Sequence, residues 1–511
     1  MPRTVLLATI SSQYTDWIPY AAGCLISHCL KIPSIKENFI FLEPEYKYKW
    51  DTPEFHDKLK RTDILGLTCY VWNQSINDSI AQIFKKYNPN GVVIFGGPNV
   101  PENNLEEYKR SYVDHYICGP GETQFEKILD PDADSEYSIP TPYTDGIFDS
   151  ILSKETDVCV AFETNRGCPY ACAFCDWGGV ARSKIKKLDD KDVYETIDHI
   201  LKFPSVKRLE ILDANFGIFE RDYNFVKHIV DKKKRNDMLL TFAGFAKNGS
   251  KWLSKIMNLV MDNFKDEKRN LKISLQTFTE EALDVIDRKN ISTDKLLSIM
   301  DHMKDVEVNS ELIIGLPGET ADSWADTLFK HRELGIDFAR AYPLYVLPNT
   351  PMAQKDYKEK YGIKTKKVIL PNNETFEMIY ECYSYSLDGI VNIYLVWWYF
   401  NTFYNFGIDT NVTKQDMKTF FANLDSMPFV KSCVDEVKAA LYNIFKPEDV
   451  IHLEGFEYIF LHYNLGRGNE LIRFKENIDT VQQELGIEFE IHNADKELKS
   501  TYARIQRTEH V

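Results

Sequence analysis

From the N-terminus to about residue 350, short apolar runs alternate with stretches whose apolar residues recur at helical spacing. VLLATI (5–10) opens the chain as a strand and YAAGCLISHCL (20–30) follows as a helix. NFIFLEP (38–44), ILGLTCYVWN (64–73), VVIFGGP (92–98) and the start of YICGPGETQFEKIL (116–129) read as further strands. Helical patterns over PEFHDKLKR (53–61), SINDSIAQIFKKY (75–87) and the rest of 116–129 separate and follow them. Strands that alternate with helices predict a parallel, doubly wound sheet.

A polar, Pro-rich stretch (131–146) then reads as a linker. Six strands follow: VCVAFET (158–164), VKRLEILD (206–213), LLTFAGFA (239–246), LKISLQT (271–277), VEVNSELIIG (306–315) and IDFARAYPLYV (336–346). Each but the last leads into a helical pattern, which predicts a partial (β/α)6 barrel. Chemistry in such barrels collects at the C-terminal ends of the strands. Beyond about residue 350 the pattern is mostly helical and aromatic. The expected organisation is therefore three parts, 1–150, 151–350 and 351–511. One run in the last part, IVNIYLVWWYFNTFYNFGI (390–408), approaches the length of a membrane span. Asn392, Asn401, Thr402 and Asn405 interrupt it, so a buried core helix is the expectation.

Composition narrows the class. In 511 residues, 44% are hydrophobic and 27% charged, as in an ordinary globular protein. The net charge of −16 argues against a general grip on nucleic acid phosphates. The start, MPRTVLLATISSQY, lacks the apolar length and cleavage site of an export signal.

The chemistry-bearing feature is NRGCPYACAFCDWGG (165–179), where Cys168, Cys172 and Cys175 form a Cys-x3-Cys-x2-Cys triplet immediately after the first strand of the second part. Thiolates gathered on one short loop suit soft metal centres, and their side chains are expected to converge on one point. A structural zinc ion needs a closed tetrahedral shell, yet His115 and His199, the nearest histidines, are far off in sequence. A disulfide framework is disfavoured by ten irregularly spaced cysteines in so long a chain. A cubane iron–sulfur cluster ordinarily takes four cysteines, so three leave one iron open to an outside ligand.

The triplet, with the aromatic Phe174 before its last cysteine, resembles the radical SAM superfamily. The loops CYVWN, Gly96-Gly97-Pro98 and Gly119-Pro120-Gly121-Glu122 resemble the cobalamin-binding domain of one large subgroup. The implied fold is an α/β protein with an N-terminal Rossmann-like domain of B12-binding type, a partial radical SAM barrel and a mostly helical C-terminal domain capping the active site. The resemblance implies a [4Fe–4S] cluster on Cys168, Cys172 and Cys175, S-adenosylmethionine (SAM) on the open iron, reductive cleavage to a 5'-deoxyadenosyl radical, and cobalamin. There is no Asp-x-His-x-x-Gly motif, so lower-axial histidine ligation of cobalt is not expected from it.

By the same resemblance, SAM is expected near Phe174, Asp213, Asn215, Lys247, Gln276, Arg288, Glu311 and Gly315. Competing readings make Asn215 a helix N-cap, Arg288 a surface partner of Asp284 or Asp287, and Lys247 a solvated side chain. Glu319 is read as a first-turn acid favoured by the helix dipole. Cobalamin is expected near Tyr70, Val71, Trp72, Asn73, Gly96, Gly97, Pro98, Gly119, Gly121 and Glu122. The leading reaction is methylation of an unactivated carbon in a small molecule or peptide. The alternatives are a radical epimerase, cyclase or rearranging enzyme, with Cys382 or Cys433 as candidate hydrogen donors, or an iron–sulfur electron-transfer or sensor protein. The partners implied are an external reductant of flavodoxin or ferredoxin type, with neither nucleic acid nor a membrane span, in the cytoplasm.

Overall fold

The computed structural model describes the chain except residues 1, 12–16, 48–49, 136–137, 178–183, 245–249, 265–269, 303–306, 371–372, 406–410, 454–476 and 487–511. The chain divides into two compact units. One comprises residues 1–171, 175–269 and 348–350, the other 172–174, 270–347 and 351–511.

The first unit opens with five strands: β1 (Arg3–Ala8), β2 (Phe39–Phe41), β3 (Ile64–Thr68), β4 (Val92–Gly96) and β5 (His115–Ile117). They form one parallel sheet in the order β2-β1-β3-β4-β5. Successive side chains on a strand point to opposite faces. Leu6 and Ala8 accordingly join Phe55, Leu59, Ile80 and Phe84 in one core, while Val5 and Leu7 join Ala22, Ile26, Cys29 and Phe125 in another. The strand order reverses between β1 and β3, and the crevice at the carboxyl ends there is the ligand position of doubly wound sheets.

The expected linker is instead built into the fold. Tyr143 is fully buried and its hydroxyl donates to the Ala161 carbonyl at 2.7 Å. Phe148 lies so close to Gly23 that a Cβ there would meet its ring at 2.2 Å. Both rings share a core with Tyr20, Val160 and Phe162. The polar and proline residues around Tyr143 disguise an anchor whose one polar atom has a partner.

The same unit holds β6 (Val158–Phe162), the short pair β7 (Asn165–Arg166) and β8 (Lys186–Lys187), then β9 (Val206–Ile211) and β10 (Leu239–Phe242). β10, β9 and β6 are neighbours in a parallel sheet, and β7 pairs antiparallel with β8.

In the second unit, β11 (Asn270–Gln276), β12 (Glu307–Ile314) and β13 (Phe338–Pro343) make a parallel sheet in that order. β12 alternates strictly: Val308, Ser310, Leu312 and Ile314 are buried, while Glu311 and Ile313 turn to the other face. On the buried side His331 is fully enclosed. Its Nδ1–H donates to the Thr327 carbonyl at 2.7 Å, and the Ser310 hydroxyl donates to Nε2 at 2.7 Å. Burial pushes the imidazole down to about 4 from an ordinary 6.5. Unfolding then takes up a proton between those values, so this group's contribution is present at neutral pH and lost as pH falls from 6.5 through 4. It is worth on the order of 3 kcal/mol. His331→Gln should flatten the wild-type decline in melting temperature across that window; a profile parallel to wild type would remove His331 from it.

The C-terminal region carries helices but also a sheet that the pattern did not announce. β14 (Lys364–Ile369) pairs antiparallel with β15 (Thr375–Glu381) and parallel with β16 (Val450–His452). The aromatic run forms the helix Leu387–Phe400 and a π-helical turn Asn401–Asn405. Ile390 to Phe400 are buried except Asn392, against the helices Ala321–Glu333 and Pro428–Phe445. It is a core helix, as expected, and among the described residues no helix is long and apolar enough to cross a membrane.

Candidate active site

The loop that leaves β6 is positioned by an acid from the end of β9. Asp213, fully buried, accepts from the Thr164 and Asn165 backbone N–H groups at 2.7 and 3.2 Å, the Thr164 hydroxyl at 2.5 Å and Asn165 Nδ2 at 2.6 Å. The carboxylate expected to meet the SAM amine thus has four donors from the segment leading to the cysteines. Burial pushes its carboxyl up to about 7, against those donors, which pull it down. Asn215 is buried nearby. It is no N-cap, because the next helix, Glu220–Lys232, begins after Phe219. Lys247 lies outside the described residues.

Arg166 continues the loop. Its Nε donates to Glu163 at 2.7 Å and its Nη1 to Glu122 at 2.6 Å. Glu122, expected at cobalamin, is therefore a buried ion-pair partner two residues from Cys168 through Arg166. Gly167, at φ +99°, then turns the chain into the triplet. Cys168 and Cys172 are buried and Cys175 is partly exposed. Among the described residues no three Cys, His, Asp or Glu side chains converge as they do around a single ion. This differs from the expected convergence on one point. Each cysteine of a cubane binds its own iron, so the donor set still suits a cluster: three thiols on one loop, with soft sulfur and no carboxylate or imidazole among them.

In the second unit the strand ends build a cleft of about 280 Å³, lined by Phe174, Gln276, Glu311, Ile313, Tyr342, Pro343, Leu344, Tyr345 and Leu347. Three expected SAM residues, Phe174, Gln276 and Glu311, meet there. Gln276 adopts φ +68° where the β11–β12 register shifts. Glu311 accepts from the Ser274 hydroxyl at 3.0 Å. Tyr342 and Tyr345 lie in the strand run IDFARAYPLYV, where the sequence signals no ligand contact. The Tyr345 hydroxyl is buried and has no hydrogen-bond partner among the described residues, and burial raises its pKa.

Gly315, at φ +87°, accepts on its carbonyl from the Tyr385 hydroxyl at 2.7 Å. Gly318, at φ +94°, packs so that a Cβ would come 2.8 Å from the Ala282 backbone. Glu319 is not a first-turn acid, because it precedes Thr320, the N-cap of the helix Ala321–Glu333. It is fully buried and accepts from the hydroxyls of Thr277, Thr279 (3.0 Å) and Ser323 (2.7 Å). Arg288 is likewise buried rather than paired on the surface, with donors aimed at Asn290, the Ser274 carbonyl and Cys172. Cys433 is core packing, and Cys382 is buried with its sulfur 3.3 Å from the Ser384 hydroxyl.

At the carboxyl edge of the N-terminal sheet, Tyr70 and Trp72 stack with ring centroids 4.6 Å apart and flank Val71. Asn73 is spent on the loop itself, donating to the Ile10 and Thr68 carbonyls and accepting from the Tyr70 N–H. Gly96 abuts Ile117, and Gly97, at φ +115°, leaves only 2.8 Å between a Cβ and the Cys69 carbonyl, so close packing demands that glycine. Asn349, missed in the sequence, holds the carbonyls of Pro98 and Val100, both at 3.0 Å. Gly121 packs near Leu25, whereas a Cβ on Gly119 would meet nothing within 4 Å. The rim thus carries a stacked aromatic pair, and open space lies beside Gly119.

Along the chain, a doubly wound sheet is followed by a parallel sheet with a three-cysteine loop after its first strand. Residues 162–330 match the model of the radical SAM superfamily and form a radical SAM domain. More particularly, the chain is 30% identical over 423 residues to the cobalamin-dependent radical SAM methyltransferase TokK of Streptomyces tokunonensis, covering 73% of this chain and 61% of that protein. It is 28% identical over 432 residues to the 2-(S-pantetheinyl)-carbapenam-3-carboxylate methyltransferase of Streptantibioticus cattleyicolor, covering 75% and 63%. The chain thus spans less than two thirds of the length of either relative. Its fold resembles the radical S-adenosylmethionine methyltransferase TsrM from Kitasatospora setae, solved with cobalamin and a [4Fe–4S] cluster (TM-score 0.57, 14% identity, 78% of this chain and 91% of that one). It also resembles the cobalamin-dependent radical enzyme OxsB, solved with aqua-cobalamin and SAM (TM-score 0.56, 13% identity, 98% and 84%). The α/β architecture with parallel sheets is common to them.

Proposed function

We propose that this chain is a cobalamin-dependent radical SAM methyltransferase acting on an unactivated carbon of a small molecule. The observation that carries the reading is the Cys168–Cys172–Cys175 loop that follows β6 and the short β7. When bound, the cluster and SAM supply a 5'-deoxyadenosyl radical and the corrinoid supplies the methyl group. We assign residues 1–150 to corrinoid binding, 151–350 to a partial (β/α)6 barrel and 351–511 to a C-terminal domain that shapes the substrate site.

The protein's own groups have separable tasks. The three cysteines hold iron. Asp213 and Arg166 fix the segment that presents them. Gln276 and Glu311 line the cleft as polar partners of SAM, Phe174 walls it, and Gly315 serves SAM through its backbone at the end of β12. Tyr342, Leu344 and Leu347 give the cleft a largely aromatic and apolar wall. Tyr70 and Trp72 give the corrinoid ring a flat surface. The external electron donor is a small carrier of flavodoxin or ferredoxin type, in a reducing cytoplasm.

The test is corrinoid uptake under anaerobic conditions, read from the visible spectrum after gel filtration. Wild type should retain cobalamin. Trp72→Ala, which removes one ring of the stacked pair, should weaken retention about fivefold to tenfold, since such contacts are worth about 1 kcal/mol. A protein that assembles its cluster yet takes up no corrinoid would defeat methylation and leave the radical reading in place.

A further inference from the structure

We infer that Arg288 raises the reduction potential of the cluster through Cys172, and is not a clamp for the SAM carboxylate. The inference rests on reading the cysteine loop as a [4Fe–4S] site. Arg288 is 5% exposed and sits just beyond the helix Glu280–Val285, where Asp287 at φ +48° turns the chain back. Its Nε donates to Asn290 Oδ1 at 2.9 Å, and Asn290 is itself fixed by donating Nδ2 to the Thr277 carbonyl at 2.6 Å. Its Nη2 donates to the Ser274 carbonyl, and its Nη1 lies 3.9 Å from Cys172 Sγ.

The backbone holds this arrangement in register. The Ala173 N–H donates to the Ile286 carbonyl at 2.9 Å, and the Ala173 carbonyl accepts from the Met352 N–H at 3.1 Å. Cys172 and Arg288 thus sit one and two residues from a shared hydrogen bond. A bidentate clamp presents two parallel N–H groups to a carboxylate. Here three of the guanidinium's five N–H groups are directed at a side-chain amide, a carbonyl and a thiol.

A guanidinium stays protonated at every working pH. Reduction adds one electron, taken from the external carrier, to a centre already bearing thiolate charge. A fixed positive charge and an N–H directed at the ligand sulfur stabilise the reduced state more than the oxidised one, and burial strengthens both effects. A higher potential eases electron uptake from the external carrier and leaves the reduced cluster a milder donor to SAM.

Wild type, Arg288→Gln, Arg288→Lys and Asn290→Ala would be reconstituted anaerobically. Iron and sulfide would be counted, and the midpoint measured by potentiometric titration followed by electron paramagnetic resonance, without SAM. SAM affinity would be measured separately by equilibrium dialysis on the oxidised protein. Arg288→Gln should shift the reduction equilibrium about tenfold against reduction, or about 59 mV downward for one electron. Arg288→Lys, which keeps the charge, should recover part of the shift. SAM affinity should change by less than about twofold. Should Arg288→Gln fail to assemble a cluster, Asn290→Ala, which releases Nε, should still lower the midpoint. An unchanged midpoint in these variants overturns the inference, and an unchanged midpoint with weakened SAM binding reinstates the clamp. Wild-type protein that binds no iron–sulfur cluster would overturn the reading of the site itself.

Discussion

Cys172→Ala should reduce both the iron–sulfur absorbance of reconstituted protein and the release of 5'-deoxyadenosine from SAM to background. In the proposed site each cysteine of the triplet would supply the sulfur for one iron, and the remaining iron would be the one open to SAM. Two thiols leave a second iron exposed, and an under-ligated cubane does not persist. Cys168→Ala and Cys175→Ala should behave alike, although Cys175 is the more exposed. Cys433→Ala is the control. Cys433 is fully buried in the helix Pro428–Phe445, so its loss should lower the melting temperature while leaving cluster and SAM cleavage in place. A Cys172→Ala protein that kept full iron content and turnover would remove the triplet from the chemistry.

Asp213→Ala carries the next largest effect. It strips the acceptor from four donors on Thr164 and Asn165. Each buried donor left unsatisfied costs about 1–3 kcal/mol, so the loop loses several kcal/mol. The variant should melt at lower temperature and take up little iron, because the segment entering the triplet is no longer held. Asp213→Asn, which keeps one acceptor oxygen, should fall between. The carboxyl is pushed up to about 7 by burial. The folded state therefore holds its proton longer than the unfolded chain, and this group's contribution falls as pH rises from about 4 toward 7. If Asp213→Ala instead held a full cluster and lost only SAM affinity, the carboxylate would be serving the SAM amine.

Legibility followed the range of the interactions. β1 to β6 and β9 to β13 were visible because alternation and apolar runs are local, and the core helix Leu387–Phe400 was visible for the same reason. β14 was hidden because its lysines suggest solvent. Lys366 is buried there and donates its Nζ to the Lys446 carbonyl at 2.7 Å. Tyr143 was hidden by the polar residues around it. The cysteine loop was legible because its residues are neighbours in the chain. The roles of Asp213, Glu122, Asn73 and Glu319 were not. Each is a polar residue near a strand end, and such a residue looks the same whether it meets a ligand or a distant part of its own chain. Asp213 bonds Thr164 across 49 positions, Glu122 bonds Arg166 across 44, and Arg288 reaches Cys172 across 116.

The decisive experiment is to incubate anaerobically reconstituted wild-type protein with SAM and a strong one-electron reductant, then quantify metal content and 5'-deoxyadenosine together. An iron–sulfur site in the triplet should give about four irons per chain and reductant-dependent 5'-deoxyadenosine that disappears with Cys172→Ala. Bound zinc in place of iron, or a full cluster that yields no SAM-derived fragment, would contradict it.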